Sequence, residues 1–233
     1  MPEGLSEDIH YISGPAFGFY ILRDGESLYL IDSGFIGGRR LLGKALRARG
    51  WEKLPIKGIV VTHGHLDHIL NVSTFAKESG AWVAAPRLDA AHYEGRYVYR
   101  GAARVCGMLE AIGRLVLGYE PFQVNRWLED GEELPIWDGL KVIHLPGHTE
   151  GHIGLYSASR KLLFCADLFA SYGNFTHLPP AILNSRPELI PASVAKALSL
   201  DLVGVLPHHC DGALPSEHLA RLVRLFGKAN RLC

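Results

Sequence analysis

The stretch IKGIVVTHGHLDH, residues 56–68, decides the reading of this chain. Its first half is a short β-branched run of the kind that forms a buried strand. Its second half is a polar turn holding three imidazoles and a carboxylate. An extended chain points residues two apart to the same side, so His63 and His65 can reach one ion. Asp67 and His68 follow where the chain turns into a helix, and can reach a second point close by. Four N/O donors within six residues exceed what one open catalytic zinc needs, so a two-metal site is expected. Without a cation to use them, these groups would crowd and desolvate one another.

Histidine is in excess elsewhere too. Twelve occur in 233 residues, and beside the first group stand His144, His148 and His152, then His208 with His209. Lysine plus arginine and aspartate plus glutamate number 24 each, and a zero formal charge argues against a partner bound through bulk attraction to phosphate. At 48% hydrophobic and 21% charged the chain is neither disordered nor fibrous. Cys106, Cys165, Cys210 and Cys233 show no CxxC spacing and read as reduced thiols. The N-terminus has no apolar signal region, and no stretch reaches the ~18 apolar residues of a membrane span. A cytoplasmic protein with no membrane partner is the expectation.

Working outward, FGFYILRDGESLYLIDSG (residues 17–34) holds two apolar runs around Asp24-Gly25 and predicts a hairpin. Residues 38–49 place Leu41, Leu42, Ala45 and Leu46 on one helical face, with Gly50 as the stop. A second helical pattern ends at Gly80, and AWVAAP (81–86) is another strand. Residues 87–124 break this rhythm. Their apolar Val105, Met108, Leu109, Ile112, Leu115 and Val116 predict a helix over 102–117. Strand and turn patterns resume afterwards, and a last helix is expected over 216–228 with Ser216 as its N-cap. With no repeat and no linker, the expectation is one domain over 1–233 with a partly helical insertion at about 87–124, its mixed sheets covered by helices.

THGHLDH, then PGHTEGH, then FCADLF, then LPHHCDG, in that order, resembles the metallo-β-lactamase fold superfamily, and the likeness covers nearly the whole chain. The resemblance implies an α+β fold, a four-layer αββα sandwich of two mixed sheets with a binuclear site at one edge. It implies that His63, His65 and His148 hold one metal, that Asp67, His68 and His209 hold the other, and that Asp167 bridges them. Two divalent ions are implied, zinc first, with iron or manganese as alternatives. Aligning Pro207 with the family's Pro-Gly-His-Gly puts His208 at the glycine and His209 at the ligand. Ala166 stands where the family usually shows glycine. An aspartate at position 167, where zinc β-lactamases tend to carry cysteine, speaks for the glyoxalase II and lactonase branch. Cys165 is read as a core residue, His144 and His152 as support or surface, and Asp32 as a hydrogen-bonding prop for the HxHxDH loop.

Two such dications would bridge a water and lower its pKa toward neutrality. The expected activity is a metal-dependent hydrolase that directs a metal-bridging hydroxide at an ester-like bond in a lactone, thioester or related small substrate. The resemblance gives Asp67 a catalytic part, orienting the hydroxide or relaying a proton. No Gly-x-Ser-x-Gly elbow competes as nucleophile. The 24 residues after His209 are too few for the helical domain with which glyoxalase II holds a glutathione thioester. Two rivals share the fold: a mononuclear iron persulfide dioxygenase, and a phosphodiesterase or nuclease, which would be expected to carry a basic exosite. Arg96, Arg100 and Arg104 read as a solvated face. His92, Tyr93, Tyr97, Tyr99 and Met108 belong to a substrate lid or to the core, and the insertion is read either as a lid or as a homodimer surface. Tyr172, Asn174 and His177, in the loop after Asp167, are the other candidates for touching substrate.

Overall fold

The computed structural model describes residues 6–15, 17–96, 99 and 104–229, without the side chains of Cys106, Lys228 and Ala229. Tyr97, Arg100, Ala102, the Cys106 thiol and Cys233 therefore lie outside the described residues. The chain divides into two compact units, Ser6–Leu128 and the chain from Glu129 onward.

In the first unit the hairpin around Asp24-Gly25 joins β2 (Phe17–Asp24) to β3 (Ser27–Ile31). Gly25 supplies the left-handed turn residue, at φ 56°. A strand not foreseen from the sequence, β1 (Ile9–Gly14), pairs antiparallel with β2. Helix α1 (Gly38–Arg49) ends at left-handed Gly50, as expected. It carries the chain to β4 (Ile56–Val60), which lies parallel to β3. The HGHLDH turn then enters α2 (Leu66–Ile69) and α3 (Val72–Ser79). Next come β5 (Trp82–Pro86), α4 (Ala90–Tyr93), α5 (Arg104–Leu117) and β6 (Arg126–Leu128). The six strands form one mixed sheet in sequence order. Phe19, Ile21, Leu28, Leu30, Ile59 and Val61 pack with Ile69, Val72 and Phe75 into its core.

The apolar stripe that predicts α5 faces outward. Val105, Met108, Leu109, Ile112, Leu115 and Val116 are all more than half exposed. Its other face carries Gly107, Glu110, Gly113 and Arg114, and contacts the HGHLDH turn described below. Periodicity locates this helix without telling which face is covered. Of the insertion residues read as lid or core, His92 and Tyr93 are buried, whereas Met108 lies on the surface. Arg96 is exposed and paired with Glu94, and Arg104 is exposed.

The second unit has a five-stranded mixed sheet. It contains β7 (Glu133–Leu134), β8 (Leu140–His144), β9 (Ile153–Ser157), β10 (Leu162–Ala166) and β13 (Gly204–Pro207), in the order β13-β10-β9-β8-β7. Only the β10–β13 pair is parallel. A separate hairpin joins β11 (Ala170–Tyr172) and β12 (Phe175–His177). Helix α6 (Ile190–Leu198), missed in the sequence, and α7 (Pro215–Ala229) pack Val194, Ala197 and Leu222 against Leu163, Cys165 and Val205. The expected N-cap at Ser216 is corrected. The helix begins at Pro215, whose fixed φ suits a first helical position, and Ser216 lies inside the first turn. Two mixed sheets with helices make this an α+β chain. Among the described residues no helix is long and apolar enough to cross a membrane.

Candidate metal centre

In the first unit the chain turns sharply after β3. Asp32 has φ 64°, a left-handed conformation that aspartate tolerates better than most residues. Its carboxylate is fully buried. Oδ1 accepts the Thr62 N–H at 2.7 Å, while Oδ2 accepts the Thr62 hydroxyl at 2.6 Å and His68 Nδ1–H at 2.7 Å. The Thr62 hydroxyl, having given its proton to Asp32, accepts from His63 Nδ1 at 3.0 Å. One carboxylate thus sets the tautomer of two imidazoles, directly for His68 and through Thr62 for His63. Each then carries its lone pair on Nε2, the atom that ligates a metal. Asp32 lies within reach of His63 and His68 as a third donor, but its oxygens are committed to these bonds, so its part is to orient. The rings of His63 and His65 lie 4.9 Å apart and those of His63 and His68 4.0 Å apart. Asp67 Oδ2 is 3.5 Å from His68 Nε2.

The backbone of this turn is held by the insertion. The Gly64 N–H donates to buried Asp89 at 2.9 Å, and the Leu66 N–H to Glu110 Oε1 at 2.6 Å. Arg114, only 3% exposed, donates to Gly64 O at 3.1 Å, to His92 O at 2.6 Å and to Glu110. The Tyr99 hydroxyl donates to Glu110 at 2.6 Å, and its ring lies nearly parallel to His65 at 5.8 Å. Burial, and then the Glu110 charge, push that phenol far above its ordinary pKa. Glycine is required at position 64 because a Cβ there would stand 2.4 Å from His92 Cβ.

In the second unit His148 Nδ1 donates to Asn184 Oδ1 at 2.8 Å, and Asn184 Nδ2 donates to Pro179 O, which fixes the amide's orientation. His148 again offers Nε2. Asp167 Oδ2 lies 3.4 Å from His148 Nε2 and 3.1 Å from His209 Nε2. His152 gives Nδ1–H to Leu145 O at 2.8 Å and accepts the Asp167 N–H on Nε2 at 3.1 Å. Its two nitrogens fix the backbone under Asp167. Of the adjacent pair, His209 reaches Asp167; His208 is fully buried and its backbone N–H donates to Ala166 O. His144 Nε2 donates to Glu150 O. Ala166 adopts φ 46°, which accounts for a glycine preference at this position. Cys165 is a core residue, its thiol pushed up by burial, then by Cys210 and Asp167. His177 half-buries its ring and bonds Leu178 O through Nδ1, while Tyr172 and Asn174 are exposed.

Neutral imidazole nitrogens with carboxylate oxygens suit a borderline divalent ion such as zinc or ferrous iron. Residues 19–203 match the metallo-beta-lactamase superfamily. The chain belongs to that superfamily. Hydroxyacylglutathione hydrolase GloC of Haemophilus influenzae is 27% identical over 123 residues, which are 52% of this chain and 53% of GloC. The chain thus spans about half the length of this curated relative. The metallo-beta-lactamase family protein TTHA1429 of Thermus thermophilus superposes with a TM-score of 0.76 at 18% identity, covering 97% of this chain and 80% of that one. TTHA1623, solved in a di-iron-bound form, is 28% identical with a TM-score of 0.66, covering 91% and 96%. The superfamily motifs pointed to the histidines and Asp167, but not to Thr62, Asp89, Glu110, Arg114 or Asn184. Their partners are 30 to 50 positions away in sequence for most of these bonds. The available signal was a charged pair, Glu110 and Arg114, at helical spacing inside an otherwise apolar helix.

Proposed function

We propose that the chain is a binuclear metal-dependent hydrolase of an ester-like bond. The cluster of His63, His65, Asp67 and His68 and the cluster of His148, Asp167 and His209 would together hold two divalent ions, zinc or iron. One observation carries this reading. His63, His68 and His148 each have Nδ1 tied to an oxygen, so three buried imidazoles all offer Nε2. A core histidine used only for structure, like His152, instead spends both nitrogens on the fold. Membership of the superfamily, and relatives named as hydrolases, support the reading further.

When bound, the ions would supply a Lewis acid for the substrate carbonyl and a water acidified enough to act near neutral pH. The chain's own part is orientation and proton handling. Asp32 and Thr62 hold His63 and His68 with Nδ1 bonded and Nε2 aimed, Asn184 does so for His148, and His152 sets the Asp167 backbone. Asp67, about a third exposed on its side chain, is the carboxylate placed to take a proton from water and pass it to a leaving group.

The test is metal content by elemental analysis, paired with a panel of lactones, esters, thioesters and phosphodiesters. About two ions per chain with hydrolysis of a carboxylic ester bond is expected. His65→Ala and Asp167→Ala should each cut both metal content and rate by tenfold or more. A single iron with oxygen consumption, or full activity in these variants, would sink the proposal.

A further inference from the structure

The segment that follows Asp167 is tied to the second cluster at both ends. It begins at Leu168, and it ends at Asn184, whose amide orients His148. Ser185 N–H also donates to His148 O. In between, the strand β11 runs beside the last histidines, with Ser171 N–H donating to His209 O and the Asp211 N–H donating to Ser171 O.

This hairpin has two unlike faces. Ser171 points into the fold, where its hydroxyl meets His218 Nδ1 at 2.7 Å and Arg221 at 3.3 Å. Alternation then puts Tyr172 on the other face, and the register pairs Tyr172 with Phe175 and Ala170 with His177. Tyr172, Phe175 and His177 therefore share that face, with the Phe175 and His177 rings 4.8 Å apart. Phe175 is 70% exposed. Further along, Ile182 and Leu183 are also exposed, at 43% and 38%.

The composition of the segment is as informative as its position. From Leu168 to Asn184 it reads LFASYGNFTHLPPAILN, without a single Asp, Glu, Lys or Arg. A segment fixed against the cluster while showing four large apolar side chains to solvent has left apolar area uncovered next to the chemistry. It also offers no charge to pair with an anionic substrate. A thioester of glutathione, an anionic tripeptide, would find no cation on it.

Resting on the hydrolase reading, we infer that the exposed apolar side chains of this uncharged segment, Tyr172 and Phe175 on the hairpin and Ile182 and Leu183 just before Asn184, seat the apolar chain of a neutral ester or lactone. Apolar burial would then select substrate by chain length, since each methylene taken from water strengthens binding.

Two measurements on the metal-loaded protein separate this inference from the reading beneath it. The first is equilibrium binding of octyl and ethyl 4-nitrophenyl ethers, which contain no cleavable ester. The octyl ether should bind at least tenfold more tightly, about 1.4 kcal/mol. Phe175→Asp should remove most of that difference, Phe175→Leu should keep it, and Val203→Ser, at an exposed apolar position bonded to Lys161 at the opposite end of β10 from Asp167, should not alter it. Equal binding of the two ethers, or an undiminished difference in Phe175→Asp, overturns the inference whatever the protein hydrolyses. The second is kcat/KM for 4-nitrophenyl acetate, butyrate and octanoate beside an acyl thioester of glutathione. The expected result is a tenfold or larger rise from acetate to octanoate that Phe175→Asp flattens, with the thioester a poor substrate. A flat series or a preference for the thioester also overturns it. Tight ether binding with no ester cleaved refutes the hydrolase reading and leaves the apolar seat standing.

Discussion

At the scale of single residues, two of the four described non-glycine positions with left-handed backbone lie at the candidate metal centre. Asp32 and Ala166 both have positive φ, and each sits beside a proposed ligand group. Asparagine tolerates the left-handed region as aspartate does, so Asp32→Asn should leave the turn intact while removing the charge that keeps His63 and His68 oriented. Metal affinity, measured by competition with a chromophoric chelator, should fall about 10- to 100-fold, the usual effect of losing a ligand's hydrogen-bond partner. Unchanged affinity would mean that Asp32 merely closes the strand. For Ala166 the balance is of another kind. Replacing it by glycine loses a buried methyl but relieves a left-handed alanine that costs about 1–2 kcal/mol, so Ala166→Gly should shift stability by no more than about 0.5 kcal/mol. Ala85→Gly, equally buried in β5 but with ordinary φ, should cost about 1.5–2 kcal/mol from the lost methyl and the freer unfolded chain. Urea unfolding of the two variants side by side makes the comparison, and equal losses would show that strain at position 166 is negligible.

At the scale of elements, the instructive case is α5. Its sequence shows an apolar stripe, and the ordinary inference from a stripe is a buried face. Here the buried face is the polar one. Glu110 receives the Leu66 N–H and the Tyr99 hydroxyl, and Arg114 spans Gly64 O and His92 O, so the helix braces the very turn that carries His63, His65 and Asp67. Locally the sequence showed only the charged pair Glu110 and Arg114 within an apolar helix, because the turn that fixes the orientation is 44 to 50 residues earlier in the chain. The hairpin of β2 and β3, by contrast, was legible because its turn residues and its apolar runs lie within one short segment. β1 was not, since IHYISG lacks a clean alternation until β2 lies beside it. The brace makes a prediction. Glu110→Ala strips the partner from a part-buried N–H and from the buried Arg114 guanidinium, and should cost about 3 kcal/mol in urea unfolding of metal-free protein. Met108→Ser, on the exposed face of the same helix, should stay within about 0.5 kcal/mol. If the two variants lose similar amounts, α5 is held by its apolar stripe and the brace is incidental.

At the scale of the whole molecule, the four histidine and aspartate motifs made the superfamily legible, because ligands must be of fixed type and order even when their surroundings drift. What they left unread is how the parts depend on one another. The proposed ligands are drawn from both compact units, four from residues 6–128 and three from the chain beyond 129. An ion bound only by the folded chain stabilises it by RT ln(1 + [M]/Kd), about 4 kcal/mol when free metal exceeds Kd a thousandfold. Tm should therefore climb with free zinc or ferrous iron and fall on chelation. The sharper expectation concerns where that increment can be abolished. His65→Ala alters one unit and His209→Ala the other, yet if both units serve the same ions each variant should lose most of the metal-dependent rise in Tm while unfolding near the wild-type temperature in chelator. Calorimetry with and without added metal reads both quantities at once. A His209→Ala protein that keeps the full metal-dependent rise would strike His209 from the ligand set, and if His148→Ala and Asp167→Ala kept it too, the binuclear proposal would have to be given up.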